Sequence, residues 1–278
     1  MIKNIIFDFG GVLYNIRYQN IAEAFARCGV SNFEEIYSKQ KQSDMMDRFE
    51  EGLISVPEFR AYVRSLADVP LTDEQIDDSW NAILIGFPEE HERMLRRVGE
   101  CYHIYLYSNT NQLNYDVFTR QMQEQFGYDL FAERFRRAYF SQLLHIRKPK
   151  VEGFRHIIEE NGLRPEETLF IDDSPQHLVG ARAAGLQTLH LEDGMEVTDL
   201  FDENGELRIK AICDLRFAKK VFSLQSSVFS LQSSVSSLKS QIQFIKTQTS
   251  ILFSGFYYLF LYICNSDNDA ERCCFCCF

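Results

Sequence analysis

Few patterns constrain a fold as tightly as an apolar β-branched run that stops on an acid and two glycines. This chain opens on one: Ile2 to Phe9 leads into Asp8-Phe9-Gly10-Gly11. A continuous apolar strand of that length reads as buried on both faces, the mark of a parallel sheet covered by helices. Similar runs recur at His103 to Tyr107, Ala138 to Phe140, Thr168 to Ile171 and Thr188 to Leu191. Helical stretches near Gln112–Gln125, Val151–Glu160 and Pro175–Ala184 separate them. Strands alternating with helices predict an α/β, doubly wound, Rossmann-like parallel sheet. Ligands bind such sheets beyond the carboxyl ends of the strands. Asp8, Ser108, Lys148 and the pair Asp172-Asp173 all fall just past predicted strand ends, so one pocket can collect them.

Between the first strand and the next, no strand pattern interrupts a helical region running roughly from Tyr18 to Gly99. Capping boxes at Ser31-x-x-Glu34, Ser55-x-x-Glu58 and Thr72-x-x-Gln75 mark three helix starts, which predicts a small helical bundle.

The predicted ends carry the parts of phosphoryl transfer through a carboxylate. Asp8 supplies a nucleophile, Ser108 with Asn109 a hydroxyl and amide for phosphoryl oxygens, and Lys148 a fixed cation. Asp172 and Asp173 are adjacent like charges after a buried strand, an arrangement that repels unless a cation sits there. Magnesium suits one or two carboxylates with a backbone carbonyl. Positioning and charge neutralisation then do most of the chemistry.

Asp8-Phe9-Gly10-Gly11-Val12-Leu13, Tyr107-Ser108-Asn109-Thr110-Asn111, Arg147-Lys148-Pro149 and Phe170-Ile171-Asp172-Asp173-Ser174 resemble, in order, the four motifs of the haloacid dehalogenase superfamily. The helical insert is similar to that family's small cap. Glu51-Gly52-Leu53-Ile54-Ser55 with Glu58-Phe59 resembles the cap of its bacterial α-glucose-1-phosphate phosphatase subgroup. The resemblance implies a core over residues 1–14 and 92–205, a cap over 15–91, and a tail over 206–278 that it does not reach. It also implies Mg²⁺ held by Asp8, Asp173 and the Gly10 carbonyl, with Asp172 in an outer position. The family usually places a second aspartate, the general acid–base group, where this chain has Gly10. Such a group is worth on the order of 10²–10⁴ in rate. Arg17 and Arg48, near the cap hinge and loop, are candidate phosphate or sugar contacts.

The expected activity is hydrolysis of a small phosphomonoester, a sugar phosphate or similar metabolite, through an aspartyl-phosphate. A 2-haloacid dehalogenase and a catalytically weakened scaffold protein are the alternatives. A net charge of -11 argues against nucleic acid and anionic membrane as partners. No secretory signal opens the chain, so Cys28, Cys101 and Cys213 are expected reduced and buried in a cytoplasmic protein. Trp80 is expected to pack, and His91, His103 and His156 to lie in core or surface.

The tail differs in kind. Phe222–Val228 and Phe229–Val235 repeat Phe-Ser-Leu-Gln-Ser-Ser-Val, and heptads over about 221–248 keep every a and d position apolar. Its flanks are Ser and Gln, without an e/g charge code. It reads as a homodimerising coiled coil, a membrane-apposed appendage, or a segment without selected structure. Ile251–Cys264 is too short to span a bilayer, and Cys273-x-x-Cys276 lacks a second ligand pair.

Overall fold

A computed structural model of the protein describes residues 1–30, 33 and 44–208. The Ser31 capping box, the tail heptads, Cys213 and the terminal cysteines lie outside the described residues.

The sheet is the one the apolar runs predict. Strands β1 (Asn4–Phe7), β4 (His103–Ser108), β5 (Arg137–Phe140), β6 (Thr168–Asp172) and β7 (Gln187–His190) lie in the order β5-β4-β1-β6-β7. Every neighbouring pair is parallel. The order reverses at β1, so the chain builds outward from it in both directions and the central strand is buried along its length. Side-chain alternation divides β1 between two cores. Ile5 and Phe7 join Leu106 and Ile171 on one face, where α5 (Glu89–Cys101), α6 (Gln112–Phe126) and α7 (Leu130–Arg134) supply Leu95, Phe118 and Leu130. Ile6 joins Tyr107 and Phe170 on the other, under α9 (Val151–Glu160) and α10 (Pro175–Ala183).

The insertion between β1 and β4 has its own apolar cluster. Its described helices are α1 (Gln19–Arg27), α2 (Asp44–Glu50), α3 (Val56–Leu66) and α4 (Asp73–Asn81). The capping boxes at Ser55/Glu58 and Thr72/Gln75 are both formed, opening α3 and α4. Phe59 stacks on Phe49 at 4.2 Å and meets Trp80 edge-on at 4.8 Å, so Trp80 packs, as expected. Its indole N–H donates to Asn111 Oδ1 across 3.1 Å, tying the insertion to the start of α6.

Three expectations need correction. The insertion is not purely helical: β2 (Asn15–Ile16) pairs antiparallel with β3 (Leu84–Gly86), a ribbon that brings the two connecting segments together. Two-residue pairing is too short to leave an alternation in the sequence. The short helices α7 and α8 (Ser141–Leu144) were likewise absent from the sequence pattern. Nor are the thiols buried: Cys28 is half-buried and Cys101 exposed at the end of α5, though both are free. Among the described residues no helix is long and apolar enough to cross a membrane.

Candidate active site

Asp8 leaves β1 at the carboxyl edge of the sheet. Its backbone N–H still donates to Ile171 O at 2.9 Å, so the ladder fixes its position while its side chain turns beyond the strand. Ser108 ends β4 and Asp172 ends β6, the two strands flanking β1. Parallel register therefore puts all three groups at one edge.

The lysine occupies their centre. Lys148 is fully buried, the opposite of a solvated loop lysine. Its ammonium donates to Asp8 Oδ1 at 2.5 Å and to Asp172 Oδ2 at 2.8 Å. The rings of Tyr107 and Phe170 wall it at 5.6 and 5.4 Å. Burial disfavours the ammonium, but the two carboxylates outweigh it and hold its pKa above the ordinary lysine range. Asn109 holds the lysine's backbone at two points: its Nδ2 donates to Lys148 O at 3.0 Å and its Oδ1 accepts from Lys148 N at 2.8 Å. The Asn109 side-chain amide is thus committed to positioning Lys148.

The acidic pair separates into two environments. Asp172 is fully buried and saturated: besides Lys148 it accepts from Ser174 N at 2.7 Å and faces His177 Nδ1 at 2.9 and 3.0 Å. Burial would raise its carboxyl, but Lys148 and His177 prevail and hold it down at about 2. Asp173 is half-buried and lines the cavity beside Asp8. Gly11 lies against it at φ +85°, and a Cβ there would fall 2.5 Å from Asp173 Oδ2. Only glycine fits both the backbone and the carboxylate. Carboxylate oxygens of Asp8, Asp172 and Asp173 lie within 4.8 Å of one another. Burial, with Lys148 opposing and the two acids adding to it, pushes the Asp8 carboxyl well above the usual carboxylate range. A hard oxygen-seeking divalent cation relieves that repulsion, so the donor set fits one. Asp8 and Asp173 line the cavity, whereas Asp172 is held by Lys148, Ser174 and His177.

Asp8, Ser108, Asn109, Asp173 and His177 line a cavity of about 310 Å³ that extends under the insertion, with Lys148 and Asp172 buried behind its wall. Gly10 lies in its wall, and a side chain there would meet Ile16 Cδ1 at 3.2 Å. Arg17 and Arg48 do not line it: both are exposed, and Arg17 pairs with Glu23 at 3.5 Å. Arg147 lines it instead, bonded to Asp47 and Glu50 of α2. His177 was also missed. Its place one turn into the helix after Asp172-Asp173 was the available signal. His91 is buried, Nδ1 2.8 Å from Leu13 O, while His103 is exposed at the start of β4.

Comparison with known proteins identifies the family. The family model of haloacid dehalogenase-like hydrolases matches residues 2–185. The chain is 31% identical over 204 residues to a D-ribitol-5-phosphate phosphatase of Bacteroides thetaiotaomicron, covering 70% of this chain and 95% of that protein. A sesquiterpene phosphatase of Aspergillus oryzae is 24% identical over 195 residues, covering 69% and 91%. Among solved structures, a haloacid dehalogenase family enzyme of B. thetaiotaomicron, in complex with magnesium and inorganic phosphate, superposes with a TM-score of 0.65 at 33% identity. It spans 73% of this chain and all of that one. A predicted hydrolase of the same family from Porphyromonas gingivalis gives 0.63 at 30% identity, covering 70% and 93%.

Proposed function

Since the chain belongs to the haloacid dehalogenase-like hydrolases, we propose that it hydrolyses a small phosphomonoester, a sugar or polyol phosphate, with Asp8 as nucleophile. The observation that carries this reading is Lys148, buried and bridging Asp8 to Asp172 beside Asp173. In this reading an Asp8 oxygen bonds to phosphorus in line as the ester P–O bond breaks, and the leaving oxygen takes its proton from water, since Gly10 supplies no acid. The Ser108 hydroxyl and the Lys148 ammonium hold phosphoryl oxygens, and Asn109 and Asp172 keep the lysine in place. Water then cleaves the aspartyl-phosphate and restores Asp8. Asp8, Asp173 and the Gly10 carbonyl would hold Mg²⁺, with Asp172 outside them. The ion supplies charge neutralisation for nucleophile and phosphate. The insertion acts as a cap that limits bulk water in the cavity. The resemblance of a D-ribitol-5-phosphate phosphatase over 95% of its length supports a polyhydroxylated substrate. A dehalogenase needs no metal, and the three clustered carboxylates weigh against that alternative.

Phosphate release from a panel of phosphoesters is expected in Mg²⁺ and to fall to background in EDTA. Release undiminished by EDTA, or halide release from a 2-haloacid, would overturn the proposal. Flat background across the panel would favour the scaffold alternative.

A pH dependence follows from Asp8. Its folded carboxyl titrates above its unfolded value near 4, so without a cation its burial costs stability as pH rises from there. Mg²⁺ displaces the proton, so its effect grows in the same direction. The rise in Tm on adding Mg²⁺ is expected to be larger at about pH 8 than at about pH 5. An increment independent of pH, or one larger in acid, would count against Asp8 as a ligand.

A further inference from the structure

The insertion meets the core along two lines, and residues from both line the cavity. The first runs beside the β2–β3 ribbon, through which both connections to the core pass. There Trp80 Nε1 donates to Asn111 Oδ1 at 3.1 Å and Asn114 Nδ2 to Asn81 Oδ1 at 3.0 Å. Trp80 and Asn81 stand only a few residues before β3, so the covalent chain keeps this line together. The second line joins the end of α2 to the core segment 141–150, far from either connection in sequence.

Non-covalent contacts hold that second seam. The last carbonyls of a helix find no partner within it. Those of Glu50 and Glu51 face the core, with Ser141 Oγ donating to Glu50 O at 2.6 Å and His145 Nδ1 lying 2.8 Å from Glu51 O. Arg147 bonds Asp47 and Glu50, and Lys150 pairs with Glu51. The same segment carries Lys148, and Ser141 Oγ accepts from Thr110 N at 2.9 Å, so the seam is tied to the loop after β4.

Closure is opposed at the same place. Gln142 is 4% exposed, and among the described residues nothing bonds its Nε2 or its Oε1. A buried polar group left unpaired costs free energy that contact with water restores. The Gln142 carbonyl oxygen lies against Gly52, where φ is +65° and a Cβ would overlap it. His145 holds a left-handed φ of 56°, uncommon for a residue with a side chain.

We propose that the insertion lifts from the core along this seam, turning on the β2–β3 ribbon, and that the unpaired amide of Gln142 holds the closed seam close in free energy to the open one. Parting the seam lets water reach the amide, so the cost that opposes closure is relieved on opening. The open seam admits substrate and releases product. That consequence rests on the phosphohydrolase reading above, whereas the opening itself does not.

Gln142→Leu tests this, because it removes both unpaired atoms at similar volume and so favours closure. Tm is expected to rise by about 2 °C or more. Hydrogen exchange of the full chain is expected to slow at least about threefold in residues 44–53 and 141–150. With p-nitrophenyl phosphate in Mg²⁺, kcat and KM should fall together, each about threefold, since a seam that opens less often releases product more slowly. Gly52→Ala is the opposite change: its side chain wedges the seam, so exchange in the same two segments should quicken and KM rise. A Gln142→Leu variant that melts no higher, or exchanges as fast as the unmodified protein, would overturn the proposal. So would slower exchange with kcat and KM unmoved, or a Gly52→Ala variant whose seam exchanges at the unmodified rate. If the unmodified protein hydrolyses no p-nitrophenyl phosphate, the phosphohydrolase reading falls, and Tm with exchange still decides the seam.

Discussion

Replacing Asp8 by Asn is expected to lower turnover roughly 10⁴–10⁶-fold, the scale on which removing a nucleophile acts, while leaving the fold intact. The two halves of that expectation have separate causes. An amide oxygen cannot form the phosphorylated intermediate, and the neighbouring Asp172 is committed to Lys148, Ser174 and His177. The fold survives because the Asp8 charge is a burden to it. Burial and two neighbouring acids already drive this carboxyl toward its neutral form, and Asn is neutral at nearly the same volume. Lys148 keeps Asp172 at 2.8 Å as its counter-ion. Without a cation, Asp8→Asn should melt no lower than the unmodified protein near neutral pH. Phosphate release and Tm measured on the same preparation check both halves. A purified variant with undiminished Mg²⁺-dependent turnover would sink the mechanism.

The second large effect belongs to Lys148. Lys148→Met preserves most of the side-chain volume between Tyr107 and Phe170 but leaves Asp8 and Asp172 with no cation between them. Removing one partner of a buried ion pair typically costs about 3–5 kcal/mol, because a charge is stranded in a medium that solvates it poorly. The loss is expected in urea unfolding at neutral pH, together with loss of turnover. The sign with pH is fixed. In the variant both carboxyls titrate above their unfolded value near 4, so the penalty accumulates above that pH and fades as pH falls toward it. The stability gap should therefore narrow from about pH 7 to about pH 5. A variant as stable as the unmodified protein at pH 7 would show that the ammonium does not balance these acids.

Much of this site was legible in the sequence because the groups sit at fixed offsets from strand ends. A strand period and a stopping glycine are local signals, so Asp8, Ser108 and Asp172 could be placed at one sheet edge before any coordinates. Lys148 was legible only by its place in an ordered set. Nothing local distinguishes it from a solvated loop lysine, and its complete burial between two aromatic rings depends on β4 and β6 lying either side of β1. Asn109 shows the limit from the other side. It was readable as a member of the site, but its side chain faces the Lys148 peptide, thirty-nine residues away in sequence. Arg147 stood in the sequence only as the neighbour of Lys148 in its motif, and Asp47 and Glu50 gave no pattern, since their partnership with it spans about a hundred residues and no spacing rule reaches across it.

The opening strand and the apolar runs that repeat it thus determined the fold class and the edge at which the candidate site residues gather. Backbone hydrogen bonding and the two-residue side-chain period are local, and they repeat wherever such a strand is covered on both faces. Only the tertiary structure decided which acid is saturated and which faces the cavity, what holds the lysine, and which side chains of the insertion meet the site. Those outcomes depend on desolvation and on charges brought within a few ångströms by strand order. Neither is a property of any segment alone.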